Sequence, residues 1–436
     1  MITARAFAGK KYAVYGLARS GLATVEALLA SGANVTAWDA KEEARTKAPA
    51  GTYITNLDDA DLSQFDSLVV TPGLPLNRHP IAQRAREAGV EIIGDIELFA
   101  RARPELPSHK VVGITGTNGK STTTALVHHI LKTAGVPAAM GGNIGLPILA
   151  QDPLPDGGVY VLELSSYQID LTQSLDCDVA VLLNITPDHL DRYESFEAYA
   201  ASKARLFQMQ SEAHTAVAPA AEWWGKKIHD VAGSGFLDVS DDAFHVWQAE
   251  PGAIAIFEQP QWPALQGPHN LSNLESAMSV CFLLGLDRHQ IRKGLRTYLG
   301  LPHRMERVRE KDGVHFVNDS KATNPTATAP ALAAFDRIRW ICGGQAKTDN
   351  LDECAPHFDH VRKAYTIGEA GDLFARLLSP HMDVAECETL ERAVGEAAAE
   401  AEAGDTVLLS PACASFDQFR DFEERGDQFR ELVEGL

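Results

Sequence analysis

The sequence predicts an α/β protein of three domains, each built on a largely parallel sheet. Three observations carry the prediction. Short apolar strands alternate with helical stretches along most of the chain. Many of those strands run into a glycine-rich or polar turn, where open α/β sheets collect ligands. A length of 436 residues exceeds what one ordinary core supports. The expected division is a Rossmann-like N-terminal domain over 1–107, a central P-loop ATPase-like domain over 108–300 and a Rossmann-like C-terminal domain over 301–436.

In the first segment KYAVYG is a strand and turn, SGLATVEALLASG a helix closed by glycine, and NVTAWD a second strand. SLVVTPG, IAQRAREAG and VEIIGD repeat the strand–helix–strand order. The first turn, Gly16 to Gly21, is not GxGxxG, yet Asp39 ends the second strand where a ribose-binding acid would sit. An ordinary βαβ turn and a site for part of a nucleotide both fit. Arg103 to Ser108, holding two prolines, reads as a linker.

The second segment opens with VVGITGTNGKSTTT, residues 111–124. A strand, a tight turn at Gly116 and Gly119, and a helix N-terminus make an anion site, because orphan N–H groups and the helix dipole face the ligand. Lys120 can reach β- and γ-phosphates and the Ser121 hydroxyl can ligate Mg²⁺. The spacing is irregular, since Ile114 stands where the usual motif has glycine. A plain glycine turn with a surface Lys-Ser pair is the bland alternative. Buried strands VYVLEL and DVAVLLNI follow, each ending in polar residues, and ESFEAYAASKARLF is an amphipathic helix. Residues 213–266 hold four of the six tryptophans and short alternating runs, which suggests an antiparallel β excursion. In the third segment HFVND, IRWICGG, KAYTIG and DTVLLS are strands between helical stretches.

Composition narrows the classes. The 45% hydrophobic and 22% charged content is that of a soluble globular protein. A net charge of −20 argues against nucleic acid or an anionic membrane as main partner. Six scattered cysteines form no CxxC and no zinc spacing, as expected of buried thiols in a reducing cytoplasm. Arg19 and Glu26 interrupt the N-terminal apolar stretch, so neither a signal peptide nor a membrane span is expected.

Several polar residues stand out against that background. Glu163 follows four apolar strand residues, which suits a metal ligand or a structural ion pair. His189 lies between Asp188 and Asp191, although a lone histidine is commonly structural. Lys203 would ordinarily be a snorkelling helix lysine. Arg304, after Leu-Pro-His, could clamp a nucleotide on domain closure. Asn318 to Pro325, NDSKATNP, supplies an acid, a lysine and capping hydroxyls, though an ordinary loop and N-cap would look similar.

TGTNGKST, LELSSYQ, NITPDHLDRY, GPHNLSN, LPHRMERV, NDSKATNP, GGQAK and LSPACASFDQF occur together in this order. The chain resembles the ATP-dependent Mur ligases of peptidoglycan synthesis over essentially its whole length, and its phosphate-loop spacing is that family's own. The resemblance implies that Gly116, Thr117, Asn118, Gly119, Lys120, Ser121 and Thr122 cradle ATP, with Asn270, Asn273, Arg304 and Asp319 completing the nucleotide site. It implies one Mg²⁺ at Ser121 and Glu163, and a second near His189 and a carbamylated Lys203. Lys120, Glu163, His189 and Lys203 would be the catalytic set. Ser20, Gly21, Asp39, Thr71, Pro72, Gly73, Asn143 and His189 would hold the UDP-linked substrate. Lys321, Thr323, Lys347, Ser415 and Phe422 would surround the incoming amino acid.

The family's reaction is amide ligation through an acyl phosphate, and the resemblance is narrowest with the branch joining D-glutamate to UDP-N-acetylmuramoyl-L-alanine. A monomer is expected. Addition of L-glutamate or a folylpolyglutamate synthetase-like activity is the alternative within the superfamily. The branch adding diaminopimelate carries a DNPR run where this chain has AKTDNLDE. Phe416 stands where the family has leucine, which bears on D- versus L-glutamate. A nicotinamide oxidoreductase would leave the phosphate loop, LELSS and NDSKAT unexplained.

Overall fold

The computed structural model describes residues 1–188, 191–219, 236–238, 262–265 and 268–436. They fall into two compact units, one formed mainly by 1–219 with 272–295 and the other mainly by 296–436.

The first unit holds two sheets. Lys11–Tyr15 (β1), Asn34–Trp38 (β2), Tyr53–Ile54 (β3), Ser67–Val70 (β4) and Glu91–Ile93 (β5) form a sheet of order β3-β2-β1-β4-β5. Every pair in it is parallel. The chain reverses its direction of winding between β1 and β4, so the loops after these strands flank a ligand crevice.

The second sheet uses His109–Thr115 (β6), Ala138–Gly142 (β7), Gly158–Glu163 (β8), Val179–Leu182 (β9), Thr215–Ala218 (β10) and Phe236–Asp238 (β11). Its order is β11-β10-β9-β6-β8-β7, again parallel throughout. The antiparallel excursion expected over 213–266 is therefore corrected where residues are described, because β10 and β11 extend this sheet in parallel. Thr215–Ala218 is largely buried, which suits a strand covered on both faces of a parallel sheet. The remainder of that expectation lies outside the described residues.

The stretch read as a linker is mostly exposed but anchored by hydrogen bonds. The helix Asp95–Ala102 runs into a tight turn over Arg103–Glu105. The Glu105 carboxylate accepts the N–H groups of Arg5 and Ala6 at 2.9 and 3.0 Å. Glu97 accepts those of Gln173 and Ser174 at 2.7 and 2.9 Å. One apolar cluster runs from Ile2 and Phe99 to Tyr160 and Tyr199, so the first two sheets share a core.

In the second unit Glu306–Lys311 (β12), Val314–Asn318 (β13), Ile338–Gly343 (β14), Val361–Ile367 (β15), Asp383–Glu388 (β16) and Thr406–Leu409 (β17) pair in the order β12-β13-β17-β14-β15-β16. Only β12 is antiparallel to its neighbour. Both edge strands are charged, which protects a sheet edge and hides the strand from a search for apolar runs. All six cysteines are buried and unpaired, and burial pushes their thiols upward. Among the described residues no helix is long and apolar enough to cross a membrane.

Candidate active site

The phosphate loop leaves the middle of the second sheet. Strand β6 lies between β8 and β9, with Ile114 opposite Glu163 on one side and Val181 on the other. Ile114 is buried within the strand, so the chain has no turn there for a glycine to make. The turn comes later. Gly116 has φ +152° and Gly119 has φ +85°, and a Cβ on Gly119 would lie 2.1 Å from Asn273 Oδ1. The helix Lys120–Thr133 follows, with Ser121, Thr123 and Thr124 buried in its first turns. Its first N–H groups have no intrahelical acceptor, which leaves an anion site at its start.

The NITPDH loop braces this turn. Thr117 N–H donates to Asn184 O and Asn118 N–H to Asn184 Oδ1, both at 2.9 Å. Asn184 Nδ2 returns a bond to Asn118 O at 3.0 Å. These two loop amides are thus turned to Asn184, whereas the sequence placed the loop's amides on phosphate.

Lys120 is folded back, with Nζ donating to Gly116 O at 2.9 Å and Thr117 O at 2.7 Å. Lys203 Nζ reaches the same Gly116 oxygen at 2.9 Å and sits 4.6 Å from the centre of the Tyr199 ring. The surface reading of Lys203 is overturned, since the residue is 1% exposed. Burial, and then the nearby Lys120 charge, pull its pKa down to about 7.

Glu163 is also buried. Its Oε1 accepts from Asn143 Nδ2 at 3.0 Å, and its backbone oxygen accepts Asn143 N–H at 2.9 Å. Its Oε2 is buried without a hydrogen-bond partner. A carboxylate oxygen left so is costly unless a cation or proton meets it, which fits a metal ligand better than the structural ion pair. Among the described residues no three His, Cys, Asp or Glu side chains converge. His189 lies outside the described residues.

In the first sheet the loops after β1 and β4 touch closely. A Cβ on Gly16 would lie 2.4 Å from Thr71 Oγ1, and one on Gly21 1.9 Å from Gly16 O. Ser20, Gly21, Thr71, Pro72 and the buried Asp95 line a small cavity there. Asp39 accepts the N–H of Leu17 at 2.7 Å and that of Lys41 at 2.9 Å. The acid expected at ribose thus also ties together the turns after β1 and β2.

The helix Pro268–Leu283 carries Asn270 and Asn273, both buried, and Thr123 Oγ1 donates to Asn273 Oδ1 at 3.3 Å. In the second unit the loops after β13, β17 and β14 emerge side by side, because those strands are neighbours. Asp319 is buried and accepts from Ser410 Oγ at 2.8 Å and Met305 N–H at 3.2 Å. Burial raises its pKa to about 7. Arg304 lies between His303 and Met305, whose φ values of 62° and 48° mark a strained turn. Lys321 Nζ lies 3.7 Å from the centre of the Phe422 ring, and Lys347 Nζ donates to Thr323 Oγ1 at 3.2 Å. Ser415 is buried, while Phe416 is 69% exposed.

One residue of this cluster has no distinctive signal in the sequence. Arg425, in the helix Phe422–Glu434, is completely buried. It donates to Ser320 Oγ, Ser320 O, Cys413 O and Ala414 O at 3.0, 2.9, 3.1 and 3.3 Å. It therefore fixes the NDSK loop against the SPACAS loop. In FEERGDQF it looks like any solvated helix charge.

Three family models match in order. The MurD-like N-terminal domain of Mur ligases matches residues 10–94, the Mur ligase middle domain 114–281, and the Mur ligase glutamate ligase domain 303–413. The chain is 61% identical over 436 residues to the UDP-N-acetylmuramoylalanine--D-glutamate ligase of Novosphingobium aromaticivorans, covering 100% of this chain and 97% of that one. The chain belongs to the Mur ligase family. The protein of the same name from Sphingopyxis alaskensis is 58% identical, with 100% of both chains covered. Among solved Mur ligases, the UDP-N-acetylmuramate-alanine ligase of Thermotoga maritima superposes with a TM-score of 0.58 at 16% identity, over 98% of this chain and 99% of that one. A MurF ligase from the same organism, in complex with ADP, gives 0.56 at 16% identity over 99% and 97%. At that identity the likeness speaks for the Mur ligase fold of three α/β domains.

Proposed function

We propose that this chain is an ATP-dependent amide ligase that joins D-glutamate to the L-alanyl carboxylate of UDP-N-acetylmuramoyl-L-alanine. The observation that carries the reading is end-to-end identity of 61% with a ligase of that name. The segments 1–107, 108–300 and 301–436 would bind the sugar nucleotide, ATP and the amino acid respectively.

A carboxylate is a poor electrophile, so the γ-phosphoryl group of ATP passes first to the alanyl carboxylate. The amine of D-glutamate then attacks the acyl phosphate carbon, and phosphate leaves as the amide forms. Lys120 would leave its carbonyl contacts to meet the phosphates, where a fixed positive charge stabilises the transferring group. Ser121 and Glu163 would hold one Mg²⁺, and His189 with carbamylated Lys203 a second, which when bound would neutralise phosphate charge. Lys203 suits carbamylation because only the neutral amine attacks CO₂, forming an N–C bond and releasing a proton. Asn143, held on Glu163, would orient the substrate beside the ATP site. Arg304 and Asp319 would grip the nucleotide, and Lys321, Thr323, Lys347, Ser415 and Phe422 would receive the amino acid.

Phosphate release from ATP with the sugar nucleotide and each candidate amino acid tests the reading. Turnover with D-glutamate is expected. Turnover only with L-glutamate or a folate substrate would favour the superfamily alternative.

A further inference from the structure

Arg192, three residues after His189, makes contacts that the proposed chemistry does not use. Its Nη2 donates to Leu74 O at 2.9 Å and its Nη1 to Gly73 O at 3.4 Å. Its guanidinium lies 4.2 Å from the centre of the Tyr167 ring. Tyr167 belongs to the short helix Ser166–Asp170 that follows the strand ending at Glu163. One side chain therefore touches the Thr71-Pro72-Gly73 loop, rises from the segment just after His189, and stacks on the segment just after Glu163.

The neighbouring contacts run in the same direction. Asn77 Nδ2 and Arg78 Nη2 both donate to Asp191 O, at 3.1 and 2.6 Å. Tyr193 stacks on Tyr167 with ring centres 6.1 Å apart, and its hydroxyl donates to Asp170 at 2.8 Å. The side chains of Arg192, Tyr167, Tyr193, Leu74 and Asn77 line an open cleft at this junction. Arg192 joins backbone oxygens of the loop to an aromatic face. A planar guanidinium donates from separate nitrogens in its plane while its face stacks on a ring, whereas an ammonium is a compact point charge with no face to stack.

We infer that Arg192 is a positioning residue that sets the Thr71-Pro72-Gly73 loop against the Glu163 segment and its own, so that a sugar-nucleotide substrate held on that loop presents its carboxylate to the ATP site. The inference rests on the proposed function, and the measurement separates the two. Steady-state phosphate release is recorded for the wild type, Arg192→Ala and Arg192→Lys, with each of the three substrates varied in turn.

An inactive wild type would count against the functional reading itself. With an active wild type, Arg192→Ala is expected to raise KM for the UDP-linked substrate ~10-fold or more, the loss of one to two charge-assisted bonds, with KM for ATP within about twofold. Arg192→Lys should fall between, keeping the charge and losing the planar stack and the spacing of two donor nitrogens. Unchanged KM values would overturn the inference, as would losses shared equally by all three substrates, the mark of a merely structural role. If Arg192→Ala does not fold, Arg192→Lys decides alone by the same selective rise or its absence.

Discussion

Lys203 Nζ donates to the carbonyl oxygen of Gly116 at 2.9 Å, inside the phosphate loop and out of reach of solvent. Lys120 donates to that same oxygen at 2.9 Å. Burial, and after it the Lys120 charge on the same carbonyl, lower the Lys203 pKa to about 7.

The sign of the resulting pH dependence is defined. Lys203 falls from 10.5 to about 7 on folding, so between those values the unfolded chain holds more protons and stability rises with pH. Below pH 7 the cost of burying the ammonium is fully present. In CO₂-free buffer Lys203→Met should therefore be more stable than wild type below pH 7, the gain shrinking towards pH 10. Chemical denaturation across that range checks this, and a gap independent of pH would contradict it. In activity assays Lys203→Ala should lose roughly 100-fold, partly restored by short-chain carboxylic acids that replace the carbamate charge.

Gly119→Ala should weaken ATP binding. The added Cβ would press on Asn273 Oδ1 at 2.1 Å, in a left-handed conformation that alanine resists. Strain of about 1–3 kcal/mol plus the clash implies ATP affinity at least ~10-fold weaker. Calorimetric titration with a non-hydrolysable ATP analogue measures it, and unchanged affinity would remove Gly119 from the site.

Glu163→Gln keeps an acceptor for Asn143 but removes the charge at the unpartnered Oε2. The rate should fall roughly 100-fold and the Mg²⁺ concentration for half-maximal activity should rise. If the Mg²⁺ dependence does not move, Glu163 is structural.

Asp319 titrates near 7 because of burial, against 3.8 in the unfolded chain. Between these values the folded state holds more protons, so its stability falls as pH rises towards 7 and stays reduced above it. Asp319→Asn should gain ~2–4 kcal/mol over wild type at pH 8 and nothing at pH 4. Denaturation midpoints at both pH values decide it, and an equal effect at both would show that the carboxylate is not desolvated in this way.

Much of this was legible in the sequence because glycines, prolines and buried acids report local geometry. Gly116 and Gly119 marked where β6 stops and the helix starts, and Glu163 after an apolar run announced a buried charge. Strand β7, AAMGG, was silent because it has no β-branched or aromatic residue. The edge strands β12 and β16 were silent because their alternation is charged. Lys203 and Arg425 look like helix surface charges in sequence, and only the packing of distant loops over them makes them buried. Arg192 is likewise given its meaning by Gly73 and Leu74, more than 110 residues earlier.

The most direct test is phosphate release from ATP with UDP-N-acetylmuramoyl-L-alanine, comparing D-glutamate, L-glutamate and diaminopimelate as acceptors. Sustained release with D-glutamate, and little with the other two, is the predicted result. No release with D-glutamate, or a preference for either other amino acid, would contradict it.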